Sequence, residues 1–524
     1  MSVSFQARPR FSFRAKIVLT VFAAVAADRM FWDQHWGSTL GFAALAWFIC
    51  ALILHRELRR DRAALSAAVA AAGFSLVLID RPGPLAWLLF WTALTLAVLL
   101  PRTRFDDAWR WFQRLAFHSV VAAFGPLIDM LRLLKLRRKT TRRPVTALIA
   151  TFALPLVGGA VFLTLFHEAN PVISDLLGDL RLPRVSVFRA AFWGLVLVTA
   201  WGVFRPRRLR KPLRLTDPGT QHLLPGVSVA SVTLSLVVFN ALFALQNGLD
   251  IAFLWSSAPL PKGVTMAEYA HRGAYPLIVT ALLAGLFVLA ALRPDSPTGE
   301  NRLIRRLVTF WVVQNVFLVA SSILRTLDYI DAYSLTRLRI AALAWMGLVA
   351  LGLVLIIWRL LRGKSAAWLI NANALAALIV LAVSSVVDFG ALAAAWNVRH
   401  AREVGGHGVE LDLCYLNQLG PAALVPLTEL QGRPLPPAFA DRVDAVRRDV
   451  MVETFRSQRD WHGWTWRNQR RLGGSHAPIY EPYMVAPSGR RCDGSVEPPP
   501  KPESPPALTT PSVAPSPLTS SQPS

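Results

Sequence analysis

Acids, bases and nucleophiles that could act together gather in four short stretches between long apolar runs: His167-Glu168; Asp175 and Asp179; Glu268, His271 and Arg272; and Asp328, Asp331, Arg337 and Arg339. If these connections converge, they form a mixed-charge cluster suited to holding a polar headgroup or glycan through charge-assisted hydrogen bonds. The competing reading is ordinary solvated loops with surface ion pairs. An enzyme would have to draw its general acid and base from Glu268, His271, Asp328 and Asp331. His167-Glu168 leads into Asn170-Pro171, without the second histidine that a zinc-protease helix places three residues on. His400, His407, His462 and His476 lack paired ligand spacing. Neither a nucleophile triad nor a glycine-rich phosphate loop stands out, so no catalytic, metal-binding or cofactor-binding residue is expected.

A second set of polar residues lies inside the apolar runs: Asn240, Gln246 and Asn247; Gln314 and Asn315; Asn371 and Asn373. One reading makes them interhelical hydrogen-bonding groups, worth about 0.6 kcal/mol each. The other makes them a polar track along a substrate path. No Asp, Glu, Lys or His falls near the middle of a run, where an ion-coupled pump would need one.

The elements that must position these groups are membrane helices. Hydrophobic residues make up 54% of the 524, and mean hydropathy is +0.41, too apolar for a soluble domain. Eleven segments approach the length that spans the hydrocarbon core as helix: 17–27, 37–54, 63–79, 84–100, 145–166, 187–204, 227–248, 276–292, 307–324, 340–358 and 368–387. The predicted fold is all-α, a polytopic bundle of about eleven helices with a small helical C-terminal subdomain. The first segment, with Arg8 to Lys16 before it and Ala24-Val25-Ala26 at its end, also has the features of a signal peptide. A retained signal anchor is the preferred reading.

Charge assigns an orientation. Alternate connections, counted from the N-terminus, hold 32 of the 56 Lys and Arg residues, and the opposite connections hold 10. The positive-inside rule then places the N-terminus in the cytoplasm and everything after Val387 outside. The net charge of +24 is thereby mostly topological, and its division between two membrane faces argues against nucleic acid as a partner.

Five regions follow: residues 1–104 with four helices, 105–144 as a basic amphipathic cytoplasmic segment, 145–387 as a seven-helix core, 388–485 as an extracytoplasmic helical subdomain, and 486–524 as a disordered Pro/Ser-rich tail. In the amphipathic segment Trp109, Phe112, Leu115, Val120 and Phe124 recur at helical spacing among Arg110, Arg114, Arg132 and Lys135. It reads either as an interfacial helix with its arginines on anionic headgroups or as a helix packed on the bundle. Cys414 and Cys492 both follow the last span, where oxidation is allowed, leaving a disulfide between them open.

The stretches 169–173 (Ala-Asn-Pro-Val-Ile), 268–273 (Glu-Tyr-Ala-His-Arg-Gly), 332–339 (Ala-Tyr-Ser-Leu-Thr-Arg-Leu-Arg) and 412–416 (Asp-Leu-Cys-Tyr-Leu), with Leu419-Gly420, carry a resemblance. They resemble a bacterial family of integral membrane proteins, domain of unknown function 4173, with 4153 as its relative. The likeness runs from Val145 to Leu430. Two departures stand out, Asn170 where an Asp is common and Ser334 where a Gly is common. The resemblance implies a bacterial inner-membrane location, and the family brings no established reaction, cofactor or ligand. Under the charge-derived topology all four motifs map to the outer face. That makes Asn170, Pro171, Glu268, Tyr269, His271, Arg272, Asp331, Tyr333, Thr336, Arg337 and Arg339 the candidate outer-face site, with Asn240, Gln314 and Asn315 the candidate intramembrane site. The expected function is a non-enzymatic envelope sensor or scaffold whose partners are the lipid bilayer and an envelope protein, lipid or glycan. A transporter or lipid-handling permease is the alternative.

Overall fold

The computed structural model describes residues 13–126, 128–129, 159, 186–206, 228–255, 283, 301–475 and 488–496. The described residues are helical, with one isolated antiparallel bridge between Arg490 and Val496. In chain order the helices are α1 (Phe13–Phe31), α2 (Thr39–Leu54), α3 (Arg62–Asp80), α4 (Pro84–Leu99), α5 (Ala108–Ala123), α6 (Val187–Phe204), α7 (Val229–Asp250), α8 (Arg302–Tyr333), α9 (Arg337–Arg362) and α10 (Ala366–Val386). They continue with α11 (Phe389–His400), α12 (Leu413–Leu419), α13 (Leu424–Gln431), α14 (Pro437–Arg459) and α15 (Trp466–Gly474).

Their starts are written in the sequence. Asp61, Asp107, Ser186, Ser228, Asn301, Thr336, Ser365, Asp388, Asp412 and Thr465 each accept a hydrogen bond from a first-turn backbone N–H, satisfying donors that would otherwise be orphaned. Pro84 opens α4, and Gly363, at φ +60°, closes α9.

Among the described residues seven helices are long and apolar enough to cross a membrane: α3, α4 with its extension to Arg102, and α6 through α10. Each matches one of the eleven expected segments. Of the other four, the first is α1, which carries Lys16, Asp28 and Arg29 and falls short of the apolarity required, and the second is α2, apolar but only 16 residues long. The fifth and eighth lie outside the described residues apart from Gly159 and Leu283. α8 also outruns its expected span: it continues through Arg325, Asp328 and Asp331 to Tyr333, so residues expected in a loop are helical.

Three cores hold the chain together. The first joins α2, α3, α4, α5 and α6 around Phe90, Leu94 and Phe204. The second joins α7, α8, α9 and α10 around Leu236, Val308 and Val312. α4 and α8 are the most buried of the seven spans and α10 the least, so much of the helical surface is outward-facing and apolar, with Phe42, Leu76, Leu195, Leu242 and Leu375 among the exposed side chains. The third core belongs to α11 to α14, where Leu416, Leu424, Leu427 and Leu430 are fully buried with Ile330 and Leu335 from the α8–α9 corner.

This helical cap sits on one end of the bundle. It meets the α1–α2 turn, where Ser38 N–H donates to the Trp464 carbonyl at 2.7 Å, and Gly37 lies so close that a Cβ there would come within 2.2 Å of the His462 carbonyl oxygen. It also meets the α3–α4, α8–α9 and α10–α11 turns. At the opposite end His55 bonds the Val203 carbonyl, Lys16 the Phe204 carbonyl, and the Asn371 amide oxygen accepts from the Ala108 N–H. Among the described residues the α1–α2, α3–α4, α8–α9 and α10–α11 turns thus share the capped end.

Residues 488–496, assigned from sequence to a disordered tail starting at 486, fold back on the cap. Ser488 donates to Asp449 through its backbone N–H at 2.7 Å and its hydroxyl at 2.8 Å, and Cys492 forms a disulfide with Cys414.

Candidate functional site

Short turns between apolar helices deliver charge to the capped end. α3 finishes at Asp80, and Arg81-Pro82-Gly83 carries the chain to α4. α10 finishes at Val386, and Asp388 caps α11 by accepting from the Gly390 and Ala391 N–H groups at 3.1 Å. Across these turns lies α15. Arg467 donates to Asp80 at 2.5 and 2.8 Å, Arg470 reaches the second Asp80 oxygen at 2.6 Å, and Arg471 pairs with Asp388. Arg81 donates to the Val387 carbonyl at 3.0 Å, as Arg467 does to that of Val386.

From the start of α9 Arg337 completes the ring. Its backbone N–H donates to the Tyr415 hydroxyl at 2.9 Å and its Nη2 to the Leu419 carbonyl at 3.2 Å. Gly390 makes room for it, since a Cβ there would stand 2.7 Å from the guanidinium.

These groups surround a cavity of about 340 Å³ between bundle and cap, with Arg81, Arg337, Arg467 and Arg471 in its wall. Five guanidinium groups, counting Arg470, face two carboxylates. Among the described residues neither Arg81 nor Arg337 is within ion-pair distance of a carboxylate. Burial works against the charge on Arg81 and Arg471, and Asp388 counters it in both. Burial would raise the Asp388 carboxyl, but Arg471 and its neighbours hold it below the usual carboxylate range, so the aspartate stays ionised. The chemistry on offer is recognition of an anion by planar guanidinium forks.

A second cavity, of about 550 Å³, adjoins the first between α4, α9 and α10. Both have Arg81 and Pro82 in their walls. Beyond those two residues the lining is mostly apolar, including Ala344, Trp345, Leu348, Val380 and Leu381.

Of the residues singled out from sequence, Arg337 lies in the charged ring. Thr336 caps α9, and Arg339 donates to the Tyr333 carbonyl at 2.6 Å while its guanidinium lies 4.4 Å from the Tyr329 ring. These three residues stabilise the α8–α9 corner. Asp331 lines a separate cavity of about 260 Å³ with Trp396, His400 and His407. Among the described residues no three His, Cys, Asp or Glu side chains form a group able to hold a metal ion. Asn170, Pro171, Glu268, Tyr269, His271 and Arg272 lie outside the described residues.

The intramembrane amides donate within the packing, while among the described residues the side-chain oxygens of Asn247, Gln314 and Asn315 accept no hydrogen bond. Gln314 donates to Asn240 at 2.7 Å, Asn240 donates to the Leu236 and Leu307 carbonyls, Asn247 donates to the Gln314 carbonyl, and Asn315 bonds back to the Trp311 carbonyl. Gln246 donates to Asp250, which pairs with Arg325 at the end of the same α7–α8 seam. Asn371 turns instead to α5, and Asn373 lies against Gly352 of α9. A single polar track through all three segments is not formed by these bonds.

A family model described as Domain of unknown function (DUF4153) matches residues 64–430, more than half of the chain. The chain belongs to this family. Of the two related families indicated by the sequence motifs, DUF4153 is the one matched. No curated protein and no solved structure matches the chain.

The DUF4153 match runs from α3 to the end of α13. It includes Asp80, Arg81, Arg337 and Asp388, whereas Arg467, Arg470 and Arg471 lie beyond it. Sequence reasoning missed Asp80, Arg81 and Asp388. The available signal was position: an Asp-Arg-Pro-Gly-Pro turn too short to be a loop, and an aspartate directly after an apolar run.

Proposed function

We propose that this DUF4153 protein is a non-catalytic receptor of the bacterial inner membrane, with its cap outside the cytoplasm and an anionic group of an envelope molecule held in the junction cavity. The observation that carries the reading is the imbalance in the wall of that cavity, four arginines and two aspartates, with Arg81 and Arg337 bonded to main-chain carbonyls. Two independent features support the orientation. Among the described residues the end opposite the cap carries most of the Lys and Arg that connect spans, Arg56, Arg59, Arg60, Arg102 and Arg104 among them, and the positive-inside rule retains such residues in the cytoplasm. The cap also holds the Cys414–Cys492 disulfide, which fits an oxidising compartment.

α5 supports a bilayer at the basic end. Trp109, Phe112, Val120 and Phe124 are exposed along it, an apolar surface suited to the interface. Arg114 is not on that surface: it is buried and bidentate with Asp106 at 2.7 and 2.8 Å, which for this residue favours the packed-helix reading over contact with headgroups. The transport reading is weakened, because the Asn240 amide donates to the Leu236 and Leu307 carbonyls and the Gln314 amide donates to Asn240.

The receptor reading is tested with pyrophosphate as the anion probe on the full-length protein in neutral detergent. A saturable rise in Tm is expected, equivalent to about 2.7 kcal/mol at a hundredfold excess over Kd. Arg337→Gln should abolish it. An equal rise with sodium chloride at matched ionic strength, or a full response in the variant, contradicts the proposal.

A further inference from the structure

We infer that the occupant of the junction cavity is the headgroup of an anionic phospholipid, with an acyl chain lying in the groove between α4, α9 and α10. The inference rests on the reading of the junction cavity as an anion site and adds the class of molecule that fills it.

The argument begins with Arg81 and Pro82, which belong to both cavities. A ligand seated against Arg81 meets guanidinium groups on one side and an apolar channel on the other. A free phosphate would use only the first and a neutral hydrocarbon only the second. A molecule that uses both is an amphiphile with a charged head. The two volumes, about 340 and 550 Å³, each lie in the range of about 300–1,000 Å³ typical of small-molecule sites.

Depth agrees with this assignment. Along α9 the ring residue Arg337 and the groove residue Leu348 are eleven positions apart, about 16 Å of helix. That is close to half of the roughly 30 Å hydrocarbon core, the depth of one leaflet. α10, which forms one wall, is the least buried of the seven spans, so the groove borders a face open to lipid. Ala341, Ala344 and Ala377 keep its walls low, leaving width for a chain.

Charge selects among lipids. A phosphatidylethanolamine or phosphatidylcholine headgroup brings its own cation into a site that already has more arginines than aspartates. A headgroup with net negative charge meets no such repulsion, and its phosphate can accept the forked donors of Arg81 and Arg337.

The test uses full-length protein reconstituted into phosphatidylethanolamine vesicles containing a trace of phosphatidylglycerol with a photoactivatable diazirine on one acyl chain. Mass spectrometry maps the labelled residues. Labelling is expected to concentrate on residues 341–348 of α9 and 377–385 of α10. Unlabelled phosphatidylglycerol should compete at about tenfold lower concentration than added phosphatidylcholine, the discrimination of one good charge-assisted contact. Arg81→Gln should remove that selectivity, and Leu348→Trp, which fills the groove, should lower labelling there at least severalfold. Even labelling of all lipid-facing helices in the unaltered protein, or equal competition by the two lipids, overturns the inference without recourse to any variant. Such a result alongside an intact pyrophosphate response would remove the lipid and leave the anion receptor. Loss of both would remove both.

Discussion

Ser334 holds φ +67° and ψ 169°, a backbone region essentially confined to glycine, and it does so at the corner where α8 gives way to α9. Arg339 and the Asn397 amide, which exchanges hydrogen bonds of 2.7 and 3.0 Å with Leu335, clamp that corner in place. The strain makes Ser334→Gly a stabilising change, expected to add about 1–2 kcal/mol and to raise the detergent-solubilised Tm. A lower Tm would mean that the hydroxyl makes up for the backbone cost. The same corner shows what individual residues could and could not disclose. Thr336, Arg337 and Arg339 were recognisable as a unit because they are adjacent in sequence. Arg81 and Arg467 were not, because they meet only when turns 386 residues apart in sequence are folded onto one end of the bundle.

At the scale of elements, two histidines pack at the end opposite the cap, His55 bonding the Val203 carbonyl and His118 buried beside Gly202. His55, which follows α2, and His118 on α5 have their pKa lowered to about 4, chiefly by burial and also by the nearby charge of Arg102. Both are neutral in the folded protein near neutral pH, while in the unfolded chain each takes up a proton near pH 6.5. Stability from these groups is therefore complete above pH 6.5 and is lost as pH falls from 6.5 towards 4, by up to about 3 kcal/mol for each histidine. Thermal unfolding across that window should show the decline, and replacing His55 and His118 by Asn should flatten it; an unchanged slope in the double variant would refute the assignment. Apolar periodicity gave the helices reliably, since the seven spanning candidates coincide with expected segments. It located α8 less well, because helix continues beyond the hydrocarbon wherever a cap rewards it, and Ile330 is buried in the cap core.

For the molecule as a whole, the described residues form two helical cores and a cap, and four of the turns between helices meet at the capped end. Hydropathy indicated eleven spans, and among the described residues seven of them are helices long and apolar enough to cross a membrane. The cap's fixed seat was not legible, because it depends on Gly37, Asp80 and Asp388 meeting the 462–471 stretch across long sequence distances. The Cys414–Cys492 bond closes a separation of 78 residues and ties the returning 488–496 segment to α12, restricting the unfolded chain by an amount worth about 2–4 kcal/mol. The cap is thus held from both sides over the arginine-lined cavity. The most direct measurement is a cryo-EM structure of the protein in nanodiscs containing phosphatidylglycerol. Headgroup density within hydrogen-bond reach of both Arg81 and Arg337, continuous with acyl density along α9 and α10, is the predicted result. A cavity closed by the α15 side chains, with ordered lipid only at other faces of the bundle, would contradict the account.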